Sequence, residues 1–194
     1  MKRVGILLRS DETYHLNKEL VDWLGEYNIV TIGIVSNNFN SMIEITKLCD
    51  GIILQGGSDY TPLEIEYVKY LYEYNIPVLG ICLGMQMMAL ATGGSLGTLE
   101  ESIHKSKKRY VHKITIVENS KLYEIVKSEI IDVNSRHKDY VKFTKLNVSA
   151  ISNDGIIEAI EGGKNKFFIG VQWHPETIKD IYSTQLLESF INIL

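Results

Sequence analysis

The chain lacks the features that mark several large classes of protein. Its 194 residues include only two cysteines, Cys49 and Cys82, which are too few for a disulfide framework. No stretch approaches the roughly 20 apolar residues of a membrane-spanning helix. The apolar run near the N-terminus is too short for a signal peptide. We therefore expect a cytoplasmic protein with no membrane partner.

The chain also lacks an excess of charge of one sign. Its formal net charge is -4, with 23% charged and 45% hydrophobic residues, which is ordinary for a globular protein. This balance gives no electrostatic attraction to nucleic acid, so we expect no nucleic-acid partner. The basic segment 103–109 is interpreted as a solvated surface loop.

Strand-like and helix-like segments alternate over the first 95 residues. The predicted strands are 3–8, 29–35, 51–55 and 77–81. The predicted helices are 13–27, 41–49, 61–74 and 83–92. The third helix has a strong start, because Thr61, Pro62 and Glu64 form a capping-box pattern. The alternation predicts a mostly parallel sheet with helices on both faces.

The pattern changes after residue 95, where strands predominate. The strand-like segments are 110–117, 130–133, 147–152, 156–161 and 166–172. One helix is predicted among these strands, at 120–127, and another after them, at 183–194. With no internal repeat, low-complexity tract or linker, the sequence predicts a single α/β domain over residues 1–194.

Cys82 lies between two glycines at the point where a predicted strand meets a predicted helix. The segment reads Gly80-Ile81-Cys82-Leu83-Gly84. The carboxyl ends of parallel strands are where ligands bind, and a sharp strand-to-helix turn needs small residues two positions away on each side. The positive end of the helix favours a thiolate. We interpret Cys82 as a nucleophile; a packing cysteine is the alternative.

A thiol nucleophile needs a base, and the chain has five histidines. His15 and His104 are expected at the surface, and His112 is expected to have a structural role within a strand. His137 lies in a polar loop. His174 directly follows an apolar strand, and the carboxylate of Glu176 comes two residues later, an arrangement that activates a thiol.

Two segments together resemble the class I glutamine amidotransferase superfamily: "PVLGICLGMQ" at 77–86 and "GVQWHPE" at 170–176. Within it, "GGSD" at 56–59 and "VNSRHKDYV" at 133–141 resemble the γ-glutamyl-γ-aminobutyrate hydrolase family, peptidase C26. The resemblance covers nearly the whole chain in order. It implies a flavodoxin-like fold with a mostly parallel central sheet flanked by helices and with additional antiparallel strands.

The resemblance also implies roles for matching residues. Cys82 would be the nucleophile, His174 the base and then the acid, and Glu176 the residue that orients it. The N–H groups of Gly57 and Leu83 would form the oxyanion hole. The implied substrate-binding residues are Gln86, Asn134, Ser135, Arg136 and His137. No cofactor is implied, and the histidines are too scattered along the chain to suggest a zinc site.

The chain departs from the family in two places. The connection after the first strand, "LLRSDETY", is short. The substrate loop reads His137-Lys138-Asp139, where the family usually has a second histidine and a glutamine. These departures leave the leaving amine of the substrate undetermined.

The residues and the resemblance together predict a cysteine-dependent hydrolase of γ-glutamyl amides that forms a γ-glutamyl thioester. A small γ-glutamyl molecule is the expected substrate. One alternative is a glutaminase subunit that supplies ammonia to a separate synthetase. Another is a non-catalytic binding protein, and a third is the DJ-1-like group, in which a histidine usually stands where Leu83 does. A homodimer and a synthetase complex both remain open.

Overall fold

A computed structural model describes residues 1–10, 13–100 and 104–194. Its strands are β1 (Arg3–Leu7), β2 (Arg9–Ser10), β3 (Tyr14–His15), β4 (Val30–Ile34), β5 (Gly51–Leu54), β6 (Val78–Ile81), β7 (Ser95–Thr98), β8 (His112–Ile116), β9 (Ile130–Val133), β10 (Asp139–Phe143), β11 (Asn147–Ser152), β12 (Ile157–Glu161) and β13 (Phe168–Val171). Its helices are α1 (Lys18–Gly25), α2 (Phe39–Thr46), α3 (Pro62–Glu73), α4 (Leu83–Ala91), α5 (Lys121–Val126), α6 (Pro175–Ile178) and α7 (Ile181–Ile193).

One large sheet combines a parallel half and an antiparallel half. The strands follow the order β4-β1-β5-β6-β13-β12-β11-β8-β9, and β10 pairs with β12 and β7. Pairs from β4 through β13 are parallel, and those from β13 onward are antiparallel. The predicted α/β fold, mostly parallel at its centre with added antiparallel strands, is confirmed.

Helices cover both faces of the parallel half, which is why its central strands are apolar throughout. Strands β5, β6 and β13 are buried along their whole length. The residues of these strands divide between two hydrophobic clusters, one on each face, because successive side chains point to opposite sides of a strand. Helix α3 begins at the predicted capping box, with Thr61 and Glu64 each bonding the backbone of the other.

Several predicted elements need correction. The helix expected from residue 13 begins only at Lys18, because the side chain of Asn17 accepts a hydrogen bond from the N–H of Leu20 and so caps the helix there. The preceding residues instead form β3, which pairs with β2. Strands β7 and β10 were not predicted; they pair with each other at the edge of the sheet.

Two sequence interpretations concern segments that the structure describes only in part. The short connection after the first strand includes residues 11 and 12, and the basic segment 103–109 begins at residue 103; these three lie outside the described residues. Within the described part of the chain, no helix combines the length and the apolar character needed to cross a membrane.

Candidate active site

Cys82 occupies a strained turn between β6 and α4. Its φ is +51°, a region that non-glycine residues rarely adopt. A Cβ on Gly84 would lie 2.1 Å from the carbonyl oxygen of Leu54, and one on Gly80 would lie 2.4 Å from Met88 Sδ. The two glycines are therefore required by close packing around the turn. As the sequence predicted, this geometry holds the thiol at the carboxyl end of the sheet.

His174 and Glu176 lie beside this thiol, at the end of β13. Pro175 starts the short helix α6, and this turn brings Glu176 Oε1 to 2.7 Å from His174 Nδ1. Because Nδ1 is engaged by the carboxylate, Nε2 is the ring nitrogen left to face Cys82. A Cβ on Gly56 would lie 2.8 Å from His174 Cε1 and 3.6 Å from Cys82 Cβ, so a glycine is needed where the two side chains meet.

The electrostatics of this group favour a charged imidazole. Burial by itself lowers the pKa of His174, but hydrogen bonds to Cys82 and Glu176 and the negative charges of both partners raise it to about 10. Glu176 is only 2% exposed, so its charge is little screened by water. The arrangement therefore stabilises the imidazolium form of His174.

The backbone N–H groups of Gly57 and Leu83 are the predicted oxyanion donors. Gly57 lines the same pocket as Cys82, and Leu83 is the first residue of α4. Among the described residues, neither N–H donates a backbone hydrogen bond within the protein. The N–H of Leu83 is free because it lies at a helix N-terminus, and that of Gly57 lies in the loop after β5.

A buried arginine supports the turn that carries Gly57. Arg9 forms an ion pair with Glu64 and donates to the carbonyl oxygen of Asp59 at 3.2 Å. A Cβ on Gly57 would lie 2.6 Å from Arg9 Cδ, so the arginine stem packs directly against this turn. The sequence analysis did not identify Arg9, because it lies far along the chain from the turn it supports.

A pocket of about 240 Å³ opens beside the thiol. The residues that line it are Gly57, Ser58, Cys82, Gln86, Lys105, Arg136, His137, Lys138 and Asp139. Three of the predicted substrate-binding residues are therefore at the pocket: Gln86, Arg136 and His137. The lining also carries cationic and anionic groups that the sequence analysis did not assign to binding.

The other two predicted substrate-binding residues do not line this pocket. The Asn134 side chain accepts from the N–H of His174 at 2.8 Å and donates to its carbonyl oxygen at 3.0 Å, so it holds the backbone of the histidine in place. Ser135 is fully buried, and its hydroxyl lies 3.3 Å from His104 Nδ1.

Gln172 is a site residue that the sequence analysis missed, although it lies in the quoted segment "GVQWHPE". Its Nε2 lies 3.5 Å from Cys82 Sγ, and its Oε1 accepts from Gln86 Nε2 at 3.2 Å. Gln86 also donates to the carbonyl oxygen of Asp139 at 2.8 Å. The two amides connect the thiol to the wall of the pocket.

A second group of histidines surrounds the buried carboxylate of Glu158 on β12. His104, His112 and His137 each have a ring nitrogen within 3.7 Å of Glu158 Oε1. Burial raises the pKa of Glu158, but the three histidines beside it outweigh this effect and hold that pKa well below its ordinary range. His104 was expected at the surface, but it is only 1% exposed, because its ring packs against the other two.

Comparisons with known proteins show the family and the fold of the chain. The profile of the peptidase C26 family matches residues 60–176. A glutamine-hydrolysing GMP synthase subunit from Methanocaldococcus jannaschii is 35% identical, over 78% of this chain and 77% of its own.

Two solved structures are similar in fold. A glutamine amidotransferase from Methylobacillus flagellatus covers 100% of this chain and 95% of its own, with a TM-score of 0.73 at 13% identity. The glutaminase domain of Trypanosoma brucei CTPS, solved with bound acivicin, covers 100% and 93% with a TM-score of 0.69 at 20% identity. At these identities the likeness shows the fold. The profile and the archaeal relative establish that the chain belongs to the peptidase C26 family, within the class I glutamine amidotransferase superfamily.

Proposed function

We propose that this chain is a cysteine-dependent hydrolase of γ-glutamyl amides. The observation that carries the proposal is the connected series Cys82, His174 and Glu176 at the edge of a polar pocket. Each member has the partner that its role requires: the thiol faces an imidazole, and the imidazole is held by a buried carboxylate. Such a series performs acyl transfer through a covalent intermediate.

The first half of the reaction forms a thioester. The Cys82 sulfur attacks the γ-carbonyl carbon, and the carbonyl electrons move to oxygen. The N–H groups of Gly57 and Leu83 would bind that oxyanion, and each such donor is typically worth about 3–4 kcal/mol. The tetrahedral intermediate then collapses. The C–N bond breaks, and the amine leaves with the proton of the His174 imidazolium.

The second half of the reaction hydrolyses the thioester and releases glutamate. The now neutral His174 takes a proton from water, and the resulting hydroxide oxygen bonds to the thioester carbon. The C–S bond breaks, glutamate leaves, and Cys82 returns as a thiolate beside an imidazolium. Glu176 stays ionised throughout and keeps the ring oriented with Nε2 toward the sulfur.

The charges at the pocket suit the amino-acid end of a glutamyl group. Lys105, Arg136 and Lys138 offer cations for an α-carboxylate, and Asp139 offers an anion for an α-ammonium group. Asp139 already accepts from Thr98 Oγ1 at 2.6 Å through one oxygen, which fixes the carboxylate. A zwitterionic substrate would therefore satisfy charges of both signs.

A second candidate is a glutaminase subunit that supplies ammonia to a separate synthetase. The similarity to a glutamine-hydrolysing subunit of a GMP synthase favours it. The chemistry at Cys82 is the same in both cases. The two candidates differ in the leaving group and in the need for a partner, because a subunit that works alone would waste glutamine.

The test is turnover by the purified chain on glutamine and on a panel of γ-glutamyl amines and γ-glutamyl peptides. The hydrolase proposal predicts turnover of at least one γ-glutamyl amine well above that of glutamine, with no partner present. Cys49→Ala serves as the matched control, since it removes the other thiol of the chain.

Two results would decide against the hydrolase. Negligible turnover of every substrate, restored by a co-purifying synthetase, would favour the ammonia-supplying subunit. Full activity in Cys82→Ser would contradict both candidates, because each needs the thiol.

A further inference from the structure

We propose that His104, His137 and Glu158 form a zinc site behind the wall of the substrate pocket. One ligand atom from each of these residues lies within 4.8 Å of the other two. His104 Nδ1 and His137 Nε2 lie 3.5 and 3.7 Å from Glu158 Oε1. Ligands at zinc distances of about 2.0–2.1 Å in a tetrahedron lie roughly 3.3 Å apart, so small side-chain movements suffice.

The hydrogen bonds of the two histidines turn their free nitrogens toward this point. The carbonyl oxygen of Asp139 can only accept, so His137 Nδ1, 3.1 Å away, must be the donor. The carboxylate of Asp154 lies 2.8 Å from His104 Nε2 and fixes that nitrogen as a donor in the same way. In neutral rings the opposite nitrogens then carry lone pairs that face Glu158. Carboxylate and carbonyl partners of this kind orient metal-binding histidines.

Two side chains of the group carry polar atoms that the rest of the described protein leaves unpaired. His137 Nε2 and Glu158 Oε2 are buried and have no hydrogen-bond partner among the described residues. Both side chains are nine-tenths or more buried, where an unpaired polar atom is costly. In neutral rings, lone pairs that face a carboxylate at such distances repel it, and we propose that a divalent ion lies between them.

The ligand set indicates the kind of ion. Two imidazole nitrogens and one carboxylate oxygen suit zinc, whereas calcium and magnesium prefer oxygen ligands throughout. His112 is the fourth group of the cluster: its Nε2 lies 3.1 Å from Glu158 Oε1, as a partner that orients the carboxylate. The histidines were expected to be too scattered along the chain for a zinc site. The fold brings His104 and His137 together although they are far apart in sequence.

Zinc at this place would join three segments around the pocket. His104 precedes Lys105, His137 lies between Arg136 and Lys138, and Glu158 is fixed in the sheet on β12. The ion would therefore hold the cationic wall of the pocket against the central sheet. This inference does not depend on the substrate or on the reaction at Cys82.

The experiment is zinc titration of the full chain, stripped with a chelator and followed by calorimetry. The parent carries Cys49→Ser and Cys82→Ser, so that no thiolate can bind the metal. We expect one zinc per chain with a Kd of about 1 µM or tighter. Glu158→Gln should weaken binding by at least about 100-fold, and Asp154→Asn by about 10- to 100-fold.

His15→Ala is the matched control, since it removes an exposed histidine and should leave zinc affinity unchanged. X-ray absorption at the zinc edge should show two imidazoles and no sulfur. Asp154 is partly exposed, so its variant tests the site even if Glu158→Gln does not fold. Absence of bound zinc at 100 µM in the parent, or equal affinity in parent and Asp154→Asn, would overturn the proposal.

Discussion

Among the described residues, two buried carboxylates, Glu176 and Glu158, lie beside histidines. The two sites differ in the other groups that contact those histidines. Glu176 holds one ring, and that ring faces the thiol of Cys82. Glu158 meets three rings, and the hydroxyl that contacts one of them, that of Ser135, is fully buried. Under the proposed function, the same residue types carry out acid–base chemistry at Cys82, whereas at Glu158 one of the rings, that of His137, lines the pocket. The neighbours of a histidine decide its task.

The two sites also lie on different parts of the sheet. Cys82 and His174 follow the neighbouring parallel strands β6 and β13, whereas Glu158 lies on β12, where the antiparallel half begins. A backbone hydrogen bond from Gln172 to Glu158 links the two. Under the proposed function the parallel half supplies the reacting groups, whereas both halves line the pocket, with Gly57 and Gln86 from one and His137 and Asp139 from the other.

The largest expected effect is the difference in turnover between two single variants, each of which lacks one histidine of one site. His174→Ala should lower turnover by about 10⁴-fold or more, because no proton then reaches the leaving amine. His112→Ala removes a ring that contacts Glu158 and the ring of His104, and turnover should stay within about tenfold of wild type. Steady-state kinetics on one γ-glutamyl substrate measures both variants. Equal losses in the two would remove the distinction between the sites.

A smaller loss is expected from the carboxylate beside the thiol. Glu176→Ala should lower turnover by about 10²- to 10³-fold, because it orients the imidazole without transferring a proton. Residues that act as a unit give losses that do not add. The double variant with His174→Ala should therefore be little slower than His174→Ala alone. A double variant whose losses multiply would show that the two residues act separately.

The carboxylate of the other site should matter more for stability than for the chemical step. Glu158→Gln leaves histidines facing a neutral amide in a buried position, and such a broken pair typically costs about 3 kcal/mol. Denaturant unfolding of the chelator-treated protein at pH 7 measures it. Lys47→Gln removes an exposed ion pair with Glu44 and should cost less than about 0.5 kcal/mol. Similar losses in the two variants would contradict a buried network at Glu158.

The smallest expected effect is a pH dependence of stability at the thiol site. The pKa of His174 is raised to about 10 in the folded state, so its imidazolium stabilises the fold below the ordinary histidine pKa of about 6.5. That contribution is lost as the pH rises toward 10. Wild type should exceed His174→Gln by at least about 1 kcal/mol near pH 6, and the difference should shrink by pH 10.

Glu176 is present in both wild type and His174→Gln, so it does not cause the difference between their stabilities. The matched control is the same pair of proteins in a Cys82→Ala background. Without the sulfur, the stability difference between that pair at pH 6 should be smaller. A difference that grows with pH would contradict an imidazolium at this position.

Local patterns were read correctly from the sequence. The glycines around Cys82 are demanded by the turn itself, and the capping box at Thr61 involves residues three apart. In both cases the deciding contact lies within a few residues along the chain.

The start of α1 is an exception, because the apolar spacing begins before the cap at Asn17 and so predicts too long a helix.

Features that depend on contacts between distant segments were not predicted, because the sequence does not show which segments meet. His104 is buried by rings and a carboxylate that come from distant segments. Strand β10 follows a polar loop and mixes exposed and buried residues, so its sequence gives no clear alternation. The support that Arg9 gives to the turn at Gly57 depends on a pairing with Glu64 that only the folded chain brings about.

The central claim is that Cys82 forms a covalent bond with the γ-carbonyl carbon of the substrate, and covalent trapping of Cys82 tests it most directly. The purified chain would be treated with an electrophilic glutamine analogue and analysed by intact mass and peptide mapping. The account predicts one adduct per chain, on Cys82, and none in Cys82→Ala, while Cys49→Ala is labelled as fully as wild type. Labelling on Cys49, or an active enzyme that is never labelled at Cys82, would contradict it.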